Sequence, residues 1–183
     1  ERFIVNTHHC AEAYAEVFPG RVWRGVPIVF RHEPVLLDTG GGIKNIDDLL
    51  VEGEPLLVYN GDILTDIPLE NLMERHFQAG AAATLALRSA GHPRNVNLDA
   101  EGYVCDLRHV LGNPGARACL FTGVYIVEKF LLAGIAPGVK QDIIPVLIAT
   151  IRKEPRAVAG VVIDAGHWSD IGSPAIYRAL QDV

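Results

Sequence analysis

The sequence predicts an α/β fold, a mixed and mostly parallel sheet flanked by helices, on three observations. Short apolar runs rich in Val, Ile and Leu alternate with stretches of helical periodicity along the chain. Turn signals such as Gly40-Gly41-Gly42, Asn60-Gly61 and Ala100-Glu101-Gly102 separate them. The 183 residues, 49% hydrophobic and 21% charged, suffice for one well-buried domain and are too few for two ordinary ones. Residues 1–183 therefore read as a single domain, without repeats, low-complexity tracts or linkers.

Each element has its own warrant. Phe3 to Val5 is a β-rich apolar run, so a strand is expected there. Asn6 or Thr7 is suited to cap a helix whose Ala11, Tyr14, Val17 and Phe18 share one face. A strand over Val26–Phe30 precedes the glycine triplet, which is expected to form a turn into a helix over about Ile43–Leu50. Leu56–Tyr59 is apolar throughout and reads as a buried strand ending at Asn60-Gly61-Asp62. Pro68 suits a helix first turn, and that helix should reach about Ala79. Ala82–Arg88 is a strand, and Asn95–Leu98 with Val104–Arg108 a hairpin around Gly102. After the Gly/Pro/Asn loop at 111–116 come a long strand over Cys119–Val127 and short helices at 128–132 and 142–153. Val158–Ile163 is a strand, His167–Asp170 a short extended piece, and Pro174–Leu180 a last helix.

Composition excludes several classes of function. A net charge of -6 argues against nucleic acid, whose phosphate backbone needs a basic face. No apolar run approaches the roughly 18 residues of a membrane span. Cys10, Cys105 and Cys119 form no short pairing and no zinc knuckle, so a reducing, cytoplasmic setting is expected. His8-His9-Cys10 lacks zinc spacing on one helix face, and no Gly-x-Ser-x-Gly elbow occurs.

Three clusters are candidates for chemistry. Asp38-Thr39-Gly40-Gly41-Gly42 places glycines before an expected helix, where free N–H groups suit a phosphate or a base edge; a tight turn is the structural alternative. Asp62 follows a glycine at the carboxyl end of a strand, where open α/β sheets bind ligands, and is a natural Mg²⁺ ligand; a turn aspartate bonding its own backbone is the alternative. Asp66 reads as structural. Gly166-His167-Trp168-Ser169-Asp170-Ile171-Gly172 offers a second carboxylate, but by itself reads better as a turn into the last helix.

Taken in order, these clusters resemble the sugar-1-phosphate nucleotidyltransferases, or NDP-sugar pyrophosphorylases. The matching segments are Phe3-Ile4-Val5-Asn6, Leu37-Asp38-Thr39-Gly40-Gly41-Gly42-Ile43, Val58-Tyr59-Asn60-Gly61-Asp62, Phe121-Thr122-Gly123-Val124-Tyr125 and His167-Trp168-Ser169-Asp170-Ile171-Gly172. The Thr-Gly-Gly-Gly form is similar to short bacterial N-acetylmuramate-1-phosphate uridylyltransferases and mannose- or heptose-1-phosphate guanylyltransferases. The resemblance implies a Rossmann-like, three-layer α/β/α domain that converts NTP and sugar 1-phosphate to NDP-sugar and pyrophosphate. By the same resemblance Asp62 and Asp170 are the catalytic and metal residues, holding Mg²⁺ on the triphosphate. Thr39, Gly40, Gly41, Asn60 and Gly61 would meet the nucleotide, and Thr122, Gly123 and Lys140 the sugar phosphate. A homo-oligomer is compatible with it.

Two departures qualify this expectation. Many relatives carry Glu-Lys-Glu before the helix at Ile143-Ile144-Pro145, where this chain has Lys140-Gln141-Asp142, so Lys140 is as well read as an exposed surface lysine. The family's first strand, its arginine-containing glycine loop, the Pro-Lys pair and the first helix would precede Phe3. They are expected in the parent protein. Two other readings stay open: a non-catalytic nucleotide-sugar-binding regulatory relative, and a metal-dependent glycosyltransferase of similar architecture.

Overall fold

Strand-forming and helical segments fall largely where their periodicity puts them in the computed structural model, which describes residues 1–181. The chain groups into two compact units, one of Glu1–Val51 with Leu131–Val146 and one of Glu52–Phe130 with the residues from Leu147 on.

In the first unit, β1 (Phe3–Thr7) leads through α1 (Ala11–Val17) and β2 (Val22–Trp23) to β3 (Val26–His32). β3 pairs parallel with β1 and antiparallel with β2, giving the order β1-β3-β2. The helix cap expected at Asn6 or Thr7 does not form, because both residues are still in β1. Cys10, left-handed at φ 50, starts α1 without a side-chain cap. The Asn6 amide instead donates to Glu33 Oε1 at 2.5 Å and to the Gly42 carbonyl at 2.8 Å.

The glycine triplet is likewise not a turn. It lies inside α2 (Asp38–Lys44), and only a short 3₁₀ segment, Asp47–Leu49, follows where a longer helix was expected. Glycine inside a helix costs about 1 kcal/mol relative to alanine. Crowding explains its use here. A Cβ on Gly41 would stand 2.4 Å from the Val139 carbonyl oxygen, and one on Gly40 2.9 Å from that of Gln141.

The second unit continues with β4 (Leu56–Tyr59), β5 (Ile63–Thr65), α3 (Glu70–Ala79), β6 (Ala83–Arg88), β7 (Arg94–Leu98), β8 (Val104–Leu107) and β9 (Arg117–Val127). After α4 (Ile144–Lys153) come β10 (Val158–Val162), β11 (Trp168–Asp170) and α5 (Pro174–Gln181). The main sheet runs β10-β6-β9-β7-β8, with β4 also on β9. β6 and β10 are parallel; β4, β6 and β7 all meet β9 antiparallel. The sheets are mixed, as expected, but antiparallel ladders outnumber parallel ones among the described strands, because hairpins rather than crossovers join several of them.

Helix α3 ends as its sequence suggests, at Gly80 in the left-handed region (φ 56), whose N–H donates to the His76 carbonyl. Leu72 of α3 packs with Ala86, Val124, Ile126, Ile63, Ile67 and Ile163 into a buried cluster. Each fully buried large aliphatic of this kind stabilises the unit by about 1.5–3 kcal/mol. β4 departs from expectation: its residues alternate between partial burial and exposure, with Leu57 and Tyr59 at the surface, because β4 pairs with β9 and with no other described strand. No helix among the described residues is long and apolar enough to cross a membrane.

Candidate functional site

The short pairing of β5 with β11 builds the site in the second unit. Trp168 stands opposite Thr65, Ser169 opposite Leu64 and Asp170 opposite Ile63. The ladder gains one more bond, Ile171 N–H to the Asp62 carbonyl at 2.7 Å. Two carboxylates distant in sequence thereby arrive at one strand end. Asp62 reaches it from a tight turn, in which Ile63 N–H donates to the Asn60 carbonyl at 3.1 Å.

Trp168 anchors the second carboxylate. Its ring packs against the Leu72–Val124 cluster, and its indole N–H donates to the Thr122 carbonyl at 2.9 Å. A strand of three residues has little pairing of its own, so this inserted ring carries much of its attachment. Asp66 is structural, as expected: its carboxylate accepts the His167 N–H, and its own N–H donates to the His167 carbonyl at 3.2 Å.

Asp62 and Asp170 converge on Gly172. A Cβ at that glycine would lie 2.9 Å from Asp62 Oδ2 and 3.1 Å from Asp170 Oδ1, so only a residue without a side chain leaves this corner open. The Gly172 N–H donates to Asp170 Oδ1 at 2.9 Å, which orients that carboxylate. Both aspartates are exposed and face a cleft of about 690 Å³. Ser169, Ser173, Trp168 and Ile176 line it on the side of β11 and α5, and His92 lines it from the loop after β6.

The donor set suits a hard divalent cation. Two carboxylates at the mouth of an open cleft match the way Mg²⁺ is held, by one or two carboxylates with phosphate oxygens completing the shell. Among the described residues no group of three or more His, Cys, Asp or Glu forms a cage.

The other expected residues are placed less simply. In the first unit Gly40 and Gly41 are buried under the segment 139–143, and the Gly41 N–H already donates to the Gln141 carbonyl at 2.9 Å. The chain's own backbone lies against the face on which a nucleotide contact was expected. The Thr39 hydroxyl accepts the Ile143 N–H at 3.0 Å and donates to Asp142 at 3.3 Å. Lys140 is exposed on the covering segment.

In the second unit Thr122 and Gly123, expected at a sugar pocket, are not among the residues lining this cleft. Thr122 is 0% exposed, and its hydroxyl donates to the Ala86 carbonyl at 2.8 Å. Gly123, at φ +80, gives room to the Asn60 amide, which an added Cβ would meet at 3.0 Å. Asn60 and Gly61 lie in the turn that carries Asp62, and Gly61 has open space around its Cα. Trp168 and Gly172 fall within a cluster the sequence marked, but His92 and the convergence of both carboxylates on Gly172 were not singled out by sequence. The close approach at Gly172 has no sequence signal beyond a glycine two residues after an aspartate.

No family model matches the chain. It is 29% identical over 181 residues to a mannose-1-phosphate guanylyltransferase of Mycobacterium tuberculosis, covering 95% of this chain and 49% of that protein. The chain thus spans about half the length of the curated relatives it matches. Its fold superposes on HddC from Yersinia pseudotuberculosis with a TM-score of 0.73 at 18% identity, covering 97% of this chain and 76% of that one. A UDP-glucose pyrophosphorylase from Acinetobacter baumanii gives 0.66 at 15% identity, over 93% and 64%. The α/β, Rossmann-like fold is shared with these structures, and by sequence and fold the chain is similar along nearly its whole length to the sugar-1-phosphate nucleotidyltransferases.

Proposed function

We propose that the parent protein of this chain converts NTP and sugar 1-phosphate to NDP-sugar and pyrophosphate, with Asp62 and Asp170 as the residues that hold Mg²⁺. The observation that carries this reading is the convergence of the two carboxylates on the side-chain face of Gly172, where an added Cβ would meet both at 2.9 and 3.1 Å, in a cleft. The relatives' names support the reaction class, since they transfer a nucleotidyl group to a sugar phosphate.

In the reaction a phosphate oxygen of the sugar 1-phosphate attacks the α-phosphorus in line, and pyrophosphate leaves. Transfers of this kind depend on positioning and charge neutralisation rather than on a covalent protein intermediate. Mg²⁺, when bound, supplies charge neutralisation on the triphosphate and a template for its oxygens. Asp62 and Asp170 supply the two oxygens that hold it, the Trp168–Thr122 bond fixes the strand bearing Asp170, and Gly172 keeps the corner free. Thr39, Asn60 and Gly61 remain the proposed contacts to the nucleotide, and exposed Lys140 the proposed contact to a phosphate.

The same proposal takes the chain as most of one nucleotidyltransferase domain, whose first strand, phosphate-binding loop and first helix lie upstream in the parent. Among the described strands β4 pairs only with β9, so its other edge is free to take such an additional strand.

The test is an assay of the full-length protein with Mg²⁺, pairing GTP, UTP or dTTP with mannose 1-phosphate or glucose 1-phosphate and measuring pyrophosphate release. Turnover of at least one pair is expected. Asp62→Asn and Asp170→Asn should each abolish it while leaving the circular dichroism spectrum and thermal transition in place. Undiminished activity in either variant removes that residue from the metal site.

A further inference from the structure

The loop between β6 and β7 has no part in the chemistry above, yet it brings His92 to the wall of the same cleft as Asp62 and Asp170. The loop is tied down where it begins. The Ser89 N–H donates to Asp164 Oδ1 at 2.9 Å and the Ser89 hydroxyl to Asp164 Oδ2 at 2.7 Å, so one carboxylate clasps both donors of one residue. Arg88 adds a guanidinium bond to the Gly166 carbonyl at 3.2 Å. Further on, Gly91 turns the chain at φ +97, close to the Leu120 side chain.

Asp164 and Gly166 belong to the segment that runs into β11, the strand carrying Trp168, Ser169 and Asp170. The loop bearing His92 and the strand bearing one metal carboxylate are therefore held to the same stretch of chain. Two side chains on the cleft wall carry nitrogen donors. The indole of Trp168 is committed to the Thr122 carbonyl, whereas the exposed imidazole of His92 makes no hydrogen bond to any described residue. The indole and Ile176 beside the hydroxyls of Ser169 and Ser173 suit a sugar, whose ring presents both C–H and O–H faces.

We propose that His92 is a ligand-binding residue of this cleft, its imidazole hydrogen-bonding an oxygen of the sugar 1-phosphate, with the Ser89–Asp164 clasp as the device that positions it. The proposal rests on the nucleotidyltransferase reading.

The experiment uses the full-length enzyme and the substrate pair that the wild type turns over. His92→Ala should raise KM for the sugar 1-phosphate about tenfold, the loss of one ligand hydrogen bond, and leave KM for the NTP within about twofold. His92→Gln, which keeps a donor and an acceptor, should recover KM to within about threefold of wild type. Ser89→Ala should raise the same KM by about threefold and add nothing in the His92→Ala background, since the clasp acts only through His92. An unchanged sugar-phosphate KM in His92→Ala, or a rise confined to the NTP, overturns the assignment while the activity stands. A wild type that turns over no pair removes the activity reading and this one with it.

Discussion

Asp62 and Gly172 meet at one point but were not equally readable. The carboxylate follows a glycine at the end of an apolar strand, and that context alone points to a ligand site. Gly172 looks like an ordinary loop glycine until β11 is laid against β5, when its Cα proves to face both carboxylates. Its backbone lies outside the positive-φ region, so alanine is tolerated conformationally and only the ligand corner suffers. Under the proposed function, Gly172→Ala should therefore weaken apparent Mg²⁺ affinity in the parent protein about tenfold or more, as a methyl group enters the space between the two proposed metal ligands. The melting temperature should shift by no more than about 2 °C, since the position is exposed. Mg²⁺ titration of activity, with calorimetry on the same samples, checks both halves; unchanged metal dependence would place the ion elsewhere.

At the scale of elements, most of the layout was legible because the periodicities are strong. The hairpin of β7 and β8, the long β9, and α3 with its terminal Gly80 all lie close to where their residues put them. What escaped has physical causes. β5 is three residues, too short to show alternation, and its pairing with β11, itself expected as an extended piece, depends on the Trp168 anchor. The triplet at 40–42 looked like a turn because glycine is costly in helices; tertiary crowding by residues 139–143 overrode that local preference. Gly41→Ala separates the two effects. The gain in helix propensity is about 1 kcal/mol, but the Val139 oxygen 2.4 Å from the new Cβ forces the backbone to move, so a net loss of about 1–3 kcal/mol is expected. Gly61→Ala, with nothing within 4 Å, should be neutral to slightly stabilising. Urea unfolding of the two variants side by side tests this; equal midpoints would show that α2 yields without cost.

Across the whole molecule the three thiols should separate by environment. Cys119 is fully buried, and burial raises its pKa; burial also raises that of Cys105, whose thiol donates to the Asn97 carbonyl at 3.3 Å. Thiolate is the reactive form, so neither should react readily in the folded chain. Exposed Cys10 is the expected site of modification. A chromogenic thiol titration should report about one fast equivalent in the native state and all three in denaturant. Fast reaction of all three without denaturant would mean that the β7–β9 region opens on its own.

The Ser89–Asp164 clasp makes the last prediction, on acid stability. The Ser89 hydroxyl and then the Ser89 backbone N–H hold the Asp164 carboxyl below its ordinary value of 3.8. A depressed folded-state pKa means that the unfolded chain binds the proton more tightly. The clasp therefore contributes its full stabilisation above about pH 4 and loses it as the pH falls below 3.8 through the lower folded-state value. Asp164 is solvent-exposed, so screening limits the contribution to about 1 kcal/mol or less. Asp164→Asn removes the ionisable group, keeps one acceptor for Ser89, and should melt below wild type at pH 6. The two melting temperatures should converge as the pH is lowered towards 3. A gap that stays constant with pH would show that the aspartate acts through shape rather than charge. The loop bearing His92 would then owe its position to Arg88 and Gly91 instead.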